Sequence, residues 1–514
     1  MDVMNFLLSN GCSTGTLSTD VLVKRKLVCT TRSSTENSQN NAWNVNFSNG
    51  NVNNNNKYNS NSVRAVAALD EEIKVGWIDA FYDCCAQKKS SPQCNSYRVD
   101  YELDLWLLLY EVYYRCYSPS ESTCFIVTRP KLREIFAAHF RDRIVQHWIT
   151  IRLEPLFEKR FQSQGNVSFN CRKNFGTLKA VAALERDMVE VSDNYQKEVY
   201  VGRFDLTSFF MSIDLKILWR LLEKFIKAEY HEDDLDTLLY LTKIVVFHKP
   251  QDNCRRNSDI EMWKDLPPHK SMFNNILPIG MAIGNLTSQQ FANFYMSFFD
   301  EFMIWLCRRN GCRYERFVDD FTVVGDKWKI LKIIRPLADK YLAKRLNVRL
   351  HHDKFYFQPV RHGIKFVGTV IMPGRKYISN RTVGGMVNKI HSTELICKSI
   401  LRGNGNCRKL GLLRHSVASL NSYLGFMIHV NGHNLRHKLF DNASEDFWKI
   451  CYLEGDYTVV KIMNQYKLTN YLKDKEDAEN RDAIRQLSAA TRRGGKVLRN
   501  EKIHRKLRRR TGRR

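Results

Sequence analysis

The chain has 514 residues, 43% hydrophobic and 12% aromatic, enough for two or three packed domains and too apolar for a wholly disordered protein. Eighty Lys and Arg against 54 Asp and Glu leave a formal charge of +26, the balance of a protein that meets a polyanion such as nucleic acid, with an anionic membrane as the competing partner. No apolar run is long enough to span a bilayer and the opening MDVMNFLLSN lacks a basic signal region, so the sequence predicts a cytoplasmic protein with no membrane partner and with its 14 cysteines reduced.

Residues 1–70 are rich in Ser, Thr and Asn, with thirteen asparagines between Asn37 and Asn61. Asn side chains compete with the backbone for hydrogen bonds, so this segment is expected to be poorly ordered, as a polar linker or an appendage. The pattern turns helical at Glu71, and 99–117 sets Leu103, Leu107, Tyr110 and Tyr114 at near-helical spacing. In 129–161 apolar residues recur at helical intervals among arginines, so that one face packs while the other meets anions. Strand-like runs at 198–206, 313–325 and 363–372 alternate with helical runs at 286–309 and 328–346. That order predicts an α+β fold over 71–380, a sheet with helices on one face. Residues 381–472 read as helical and 473–514 as a basic tail, with twelve Lys or Arg against the single acid Glu501 between 491 and 514. The cysteines are scattered, with an adjacent pair at Cys84 and Cys85 and no zinc-type CxxC; Cys307 and Cys312 read as core residues at a helix end rather than ligands.

In RFVDDFTVVG (316–325), Phe317 and Val318 lead into Asp319 and Asp320 before the strand pattern resumes, which puts two adjacent acids at the tip of a hairpin. A divalent cation relieves their repulsion most readily, and Mg²⁺ takes oxygen ligands of this kind; a solvated Asp-Asp turn is the alternative. Asp205 closes the strand 199–204 and can complete a two-metal site with them. Asp214, which follows Phe209 and Phe210, reads as the N-cap of the helix beginning LKILWRLL.

FDLTSFF paired with FVDD resembles motifs A and C of reverse transcriptases. Between them, LPIGMAIGNLTSQQFANFYM resembles motif B as carried by the reverse transcriptases of diversity-generating retroelements, with Ile283, Gly284, Asn285, Ser288 and Gln289 on the Ile-Gly-Asn-x-x-Ser-Gln pattern. RPKLREIFAAHFRDRIVQH and FNCRKNFGT resemble the family's fingers and SLNSYLGFMIHVNGHNL its thumb, so the likeness runs in order over 72–440. This resemblance, to the group II intron-like reverse transcriptase superfamily, implies a right-hand polymerase with fingers and palm at 71–380, an antiparallel palm sheet and a helical thumb at 381–472.

The resemblance implies an RNA-directed DNA polymerase in which Asp205, Asp319 and Asp320 are catalytic and hold two Mg²⁺ ions, replaceable by Mn²⁺, with the Leu206 carbonyl as a further ligand. It assigns the incoming nucleotide to Arg172 and Lys173 at the triphosphate, to Phe209 or Phe210 under the sugar, to Ile283 and Gln289 of motif B, and to Lys354 near the leaving pyrophosphate. His351 and His352 beside it read as strand-edge residues. The implied partners are an RNA template and primer, deoxynucleoside triphosphates (dNTPs), the cDNA product and a small basic accessory protein. Arg492, Arg493, Arg505, Arg508, Arg509 and Arg510 of the tail are expected on RNA phosphates.

Two features depart from the family pattern. The repeated IG of LPIG and MAIG before Asn285 leaves the register of the loop open, and the long polar stretch 248–275 has no assigned role. Ile283 stands where a long polar residue would check base-pair shape, which implies copying that is error-prone at template adenines and serves targeted mutagenesis. The Asn-rich run 41–66 then reads as a translated template repeat, with a polar linker as the alternative. A phage-defence reverse transcriptase with the same core is the rival enzyme, and a non-catalytic RNA-binding protein would leave the three acids unexplained.

Overall fold

The computed structural model describes residues 71–468, apart from 87–90, 129–130, 276–277 and 405, together with three strands between 30 and 56. The β-branched and aromatic runs of the middle of the chain pair as one antiparallel sheet of four strands, in the order Tyr356–Pro359, Tyr200–Phe204, Asp320–Gly325, Arg313–Phe317. Phe204 lies opposite Phe321 and Phe317 opposite Asp320, so the end of the strand Tyr200–Phe204 comes beside the hairpin tip at Val318 and Asp319. Phe204 stacks on Phe321 at 4.7 Å, and Phe321 meets the edge of Phe299 at 5.2 Å. Phe299 belongs to the helix Leu286–Arg309, whose Phe291, Phe294, Tyr295, Met296 and Met303 are all buried in the same core. Truncating one such ring to Ala costs about 3–5 kcal/mol, which is what holds the strand ends in place.

A second sheet sets the strand Ser122–Val127 between Arg133–Ala137, antiparallel, and Cys254–Arg256, parallel. The helical pattern expected from 129 therefore starts only at Phe140 and runs to Ser163. Residues 133–137 alternate instead, with Glu134 and Phe136 inside. The long stretch 248–275 finds its role in this sheet. Buried Glu134 accepts hydrogen bonds from Trp263 Nε1 (2.7 Å), Ser271 Oγ (3.0 Å) and the Met272 amide (2.7 Å), which ties the stretch to the sheet it extends.

Other expectations shift in detail. The helix Tyr101–Tyr113 buries Leu105, Leu108, Leu109 and Val112, whereas Leu103 and Tyr114 of the predicted face are exposed. The stretch is apolar on several sides, so spacing alone could not choose its face. Residues 327–345 are helical through a π turn at Ile330–Ile334 just before Pro336, whose missing N–H breaks the regular ladder. In the Asn-rich segment, expected to be poorly ordered, Thr30–Glu36, Asn41–Asn46 and Val52–Asn56 pair as antiparallel strands. Cys84, Cys85, Cys307 and Cys312 are buried and in no disulfide.

The chain divides into two compact units between Arg361 and His362, ahead of the boundary at 380 that the sequence suggests. The second unit holds three short strands, Ile364–Phe366, Thr369–Met372 and Arg375–Ile378, then the helices Asn380–Ser399, Cys407–Met427 and His433–Asp441 around Met386, Leu413, Leu420, Leu424 and Phe440. A hairpin of Cys451–Glu454 with Val459–Ile462 stands in a region read as helical. Asn421 fixes it from the helix, donating to the Val460 carbonyl (2.9 Å) and accepting from its amide (2.7 Å). No helix among the described residues is long and apolar enough to cross a membrane.

Candidate active site

Opposite pairing of Phe317 and Asp320 leaves a two-residue turn of Val318 and Asp319. Val318 sits at φ 59°, a region that β-branched residues rarely enter and that the first residue of a type II′ hairpin turn requires. Its strain is held by a buried ion pair. Arg316, wholly buried, donates from Nη1 to the Val318 carbonyl (3.0 Å), from Nε to Asp300 Oδ1 (2.6 Å) and from Nη2 to Asp300 Oδ2 (2.6 Å). Tyr314 donates its hydroxyl to Asp300 Oδ1 (2.7 Å), and Asn293 Oδ1 accepts from Arg316 Nη2 (2.9 Å) and Ser168 Oγ (2.7 Å). A buried pair is tolerated when its remaining donors and acceptors are met in this way. The sequence reading missed this network, although an arginine inside an apolar strand and an aspartate inside FFDEF were its signal.

Asp205 follows the strand Tyr200–Phe204. Its carbonyl accepts from the His351 amide (2.8 Å) and the Thr207 amide donates to the Arg349 carbonyl (2.9 Å), with Leu206 opposite Leu350. Successive carbonyls of a strand point to opposite edges, so that of Leu206 faces the edge next to Asp320–Gly325. The acids share one field: burial and then the charge of Asp205 raise the Asp319 carboxyl, while burial, Asp319 and Asp205 push Asp320 up to about 6. Arg133 and Lys131 oppose the rise at Asp319, and Arg203 and Lys131 oppose it at Asp320. Lys131 and Arg133 also escaped the sequence reading; their signal was a basic pair leading the strand Arg133–Ala137. Lys354, on the turn His352–Lys354, brings Nζ to 2.5 Å from Asp205 Oδ2. His351 bonds to the strand end, and His352 opens that turn.

Three partly buried carboxylates that repel one another and a strand-end carbonyl form a set of hard oxygen donors, which fits Mg²⁺ or Mn²⁺ and not a soft metal. The repulsion that raises Asp319 and Asp320 is what a bound dication removes.

The expected triphosphate contact at Arg172 needs correction. Its buried guanidinium is bidentate to Glu158 (2.9 Å from Nε to Oε1 and 2.9 Å from Nη2 to Oε2), donates to the Ser168 carbonyl (2.7 Å) and Asn166 Oδ1 (2.7 Å), and lies 3.8 Å over the Phe175 ring. Four of its five N–H donors are committed inside the protein. Lys173, exposed, pairs with Glu154 at 2.6 Å. Phe209 is core, and Phe210 is half-buried beside it at 5.4 Å. Asp214 caps its helix through the amides of Lys216 (3.0 Å) and Ile217 (3.1 Å).

The doubled IG resolves into two jobs. Gly280 and Met281 donate their amides to the carbonyls of Ile213 (2.8 Å) and Phe210 (2.7 Å), whereas the Ile283 carbonyl accepts from Phe136 (2.8 Å) and Asn285 Oδ1 from Ala138 (3.2 Å). Gly284 adopts φ 129°, and a Cβ there would stand 2.6 Å from the Phe136 oxygen, so only glycine lets the loop touch the strand. Ile283 packs beside Phe136, Met211 and Ala282. Ser288 is buried and Gln289 exposed on the helix that follows, with the Cys171 thiol donating to Gln289 Oε1 at 3.6 Å. The tail arginines lie outside the described residues.

Residues 128–371 match the family model described as reverse transcriptase (RNA-dependent DNA polymerase). The matched segment contains the four-stranded sheet and all three acids, so the chain carries a reverse transcriptase domain with the α+β fold of a right-hand polymerase. No curated protein matches the sequence. Among solved structures, apo telomerase from Candida tropicalis, truncated from its C-terminal domain, is similar over 51% of this chain and 56% of that one, at 13% identity and a TM-score of 0.36. Telomerase from Candida albicans with the TWJ fragment of telomeric RNA is similar over 64% of each chain, at 10% identity and a TM-score of 0.38. The chain therefore spans 56% and 64% of the lengths of these two telomerases.

Proposed function

We propose that the chain copies an RNA template into cDNA by two-metal nucleotidyl transfer, with errors concentrated opposite template adenines. The observation that carries this reading is the meeting of Asp205, Asp319 and Asp320 at adjoining strand ends, within the segment that matches the reverse transcriptase model. These acids and the Leu206 carbonyl hold the two Mg²⁺ ions, which when bound stabilise charge on the attacking and leaving oxygens. Arg316 keeps the acid-bearing turn in its strained form, so the carboxylates are preorganised rather than gathered on demand. Lys131 and Arg133, whose charges already reach the acids, take the triphosphate role that Arg172 cannot. Lys354 supplies a cation at the opposite edge for the leaving pyrophosphate. Phe210, half-buried where Phe209 is not, is the flat side chain under the sugar.

Ile283 lacks a polar end with which to test a base pair, and this supports the mutagenic retroelement reading in which 41–66 is template-repeat sequence read in frame. The RNA template and primer meet the basic face of 129–161 and the tail 491–514 through their phosphates, and a small basic accessory protein is the expected partner. The enzyme works in the cytoplasm on dNTPs. Primer extension on an RNA template with Mg²⁺ tests the core of this reading. Asp319→Asn with Asp320→Asn is expected to reduce incorporation to background while RNA binding and circular dichroism stay unchanged; extension that survives in that variant refutes it. The error spectrum then separates a mutagenic retroelement enzyme, biased at adenine, from a phage-defence enzyme, which has no reason to be.

A further inference from the structure

The second unit carries a cluster of ligand-type side chains that polymerisation does not use. His433 and His437 are four residues apart on the helix His433–Asp441, so their rings share a face, with centroids 4.6 Å apart. Asp456 lies on the turn between Cys451–Glu454 and Val459–Ile462, where Gly455 and Tyr457 take φ 60° and 54° and fold the chain back sharply. The two elements meet through these side chains. His433 Nε2 is 2.8 Å from Asp456 Oδ2 and His437 Nε2 is 3.0 Å from Asp456 Oδ1, and one ligand atom from each residue falls within 4.8 Å of the others.

Both rings are oriented by neighbours outside the set. His433 Nδ1 is 3.1 Å from Asn434 Oδ1, an acceptor that would keep the proton on Nδ1 when Nε2 gives up its own to a metal. His437 lies against the Tyr457 ring at a centroid distance of 3.8 Å. We propose that His433, His437 and Asp456 bind one divalent transition-metal ion of the zinc type, pinning the helix His433–Asp441 to the hairpin 451–462.

Donor chemistry separates this site from the palm. Two imidazoles with one carboxylate suit Zn²⁺ or Co²⁺, whereas an all-oxygen set suits Mg²⁺. Ligand atoms around a tetrahedral zinc stand about 3.3 Å apart, so the pairs at 2.8 and 3.0 Å need to open by only a few tenths of an ångström. Three protein ligands leave the fourth position to water. Arg436 is the competing cation, with Nη2 at 3.8 Å from Asp456 Oδ2. Its guanidinium is also directed at backbone carbonyls, those of Met427 and Asp456, each at 3.4 Å.

The site is independent of the polymerase reading and is tested on the full chain, reduced and stripped with EDTA. Titration with Co²⁺ is expected to give a visible d–d band that saturates at one equivalent and is displaced by Zn²⁺. His433→Asn with His437→Asn should lose the band, and Asp456→Asn should weaken it, with unchanged far-ultraviolet circular dichroism. Zn²⁺ should raise the melting temperature of the wild type and leave that of the double variant unmoved. A band that persists in the double variant, a thiolate charge-transfer band that traces the signal to the cysteines, or no band at several equivalents would each overturn the proposal.

Discussion

Asp320 offers the most direct test of the electrostatics at the palm. Burial, then the charges of Asp319 and Asp205, push its carboxyl from 3.8 up to about 6. A carboxyl raised in the folded state favours folding while protonated; that contribution is complete below the unfolded value and is lost as the pH rises through about 6. The shift is about 2 units, and at about 1.36 kcal/mol per unit it bounds the loss near about 3 kcal/mol. Asp320 is half-buried, so solvent screening brings the expected figure to roughly 1–2 kcal/mol. Asp320→Asn cannot ionise and escapes this loss. Urea unfolding in EDTA should therefore find the variant more stable than the wild type by roughly 1–2 kcal/mol at about pH 7.5, with the gap closing toward about pH 4. Added Mg²⁺ should stabilise the wild type more than the variant, because the dication relieves a repulsion that the variant has already shed. A variant no more stable than the wild type at about pH 7.5, or a gap that does not narrow in acid, would refute the account.

Three further outcomes are expected. Arg316→Ala strands Asp300 without its countercharge and should lower stability by about 3–5 kcal/mol in the same unfolding assay, whereas replacing Arg316 and Asp300 together by Met and Leu should recover most of that stability but not the rate of nucleotide incorporation. Ile283→Gln should reduce misincorporation opposite template adenine more than opposite the other bases when the cDNA is sequenced, and an unchanged spectrum argues against its role in fidelity. Deleting 491–514 removes twelve cations and should flatten the fall of log RNA affinity with log salt by about 0.7 for each single-strand phosphate that the tail neutralises; an equal slope removes the tail from RNA binding.

Features written in local chemistry were legible in the sequence. The helix Leu286–Arg309 runs between Asn285 and the Asn310-Gly311 stop, and its ends are found to the residue. Asp214 caps its helix as a short acid before an apolar run should, and the Asp319–Asp320 hairpin folds at the predicted place. Features set by distant partners were not legible. Glu134 is an inward strand residue because Trp263, Ser271 and Met272 reach it from well over a hundred residues away. Arg172 looks like a phosphate ligand until Glu158, one helix earlier, takes its Nε–Nη2 edge. The hairpin 451–462 hides in a helical stretch because an asparagine of another element satisfies its strand.

The motif B loop carries a mechanical consequence. Within a few residues it is bonded to Phe210 and Ile213 behind one acid and to Phe136 and Ala138 of the neighbouring sheet. Gly284 permits the near approach that makes the second attachment possible. A loop moored at both ends in this way behaves as a connecting rod rather than a hinge: displacement of the strand Arg133–Ala137 is delivered to Ile283 and Phe210 together. Because Arg133 heads that strand, a pull by an anionic ligand on its guanidinium is transmitted to the residues expected to judge the base and the sugar. Variants along 133–137 should then alter copying accuracy as well as nucleotide affinity, although none of them touches a base.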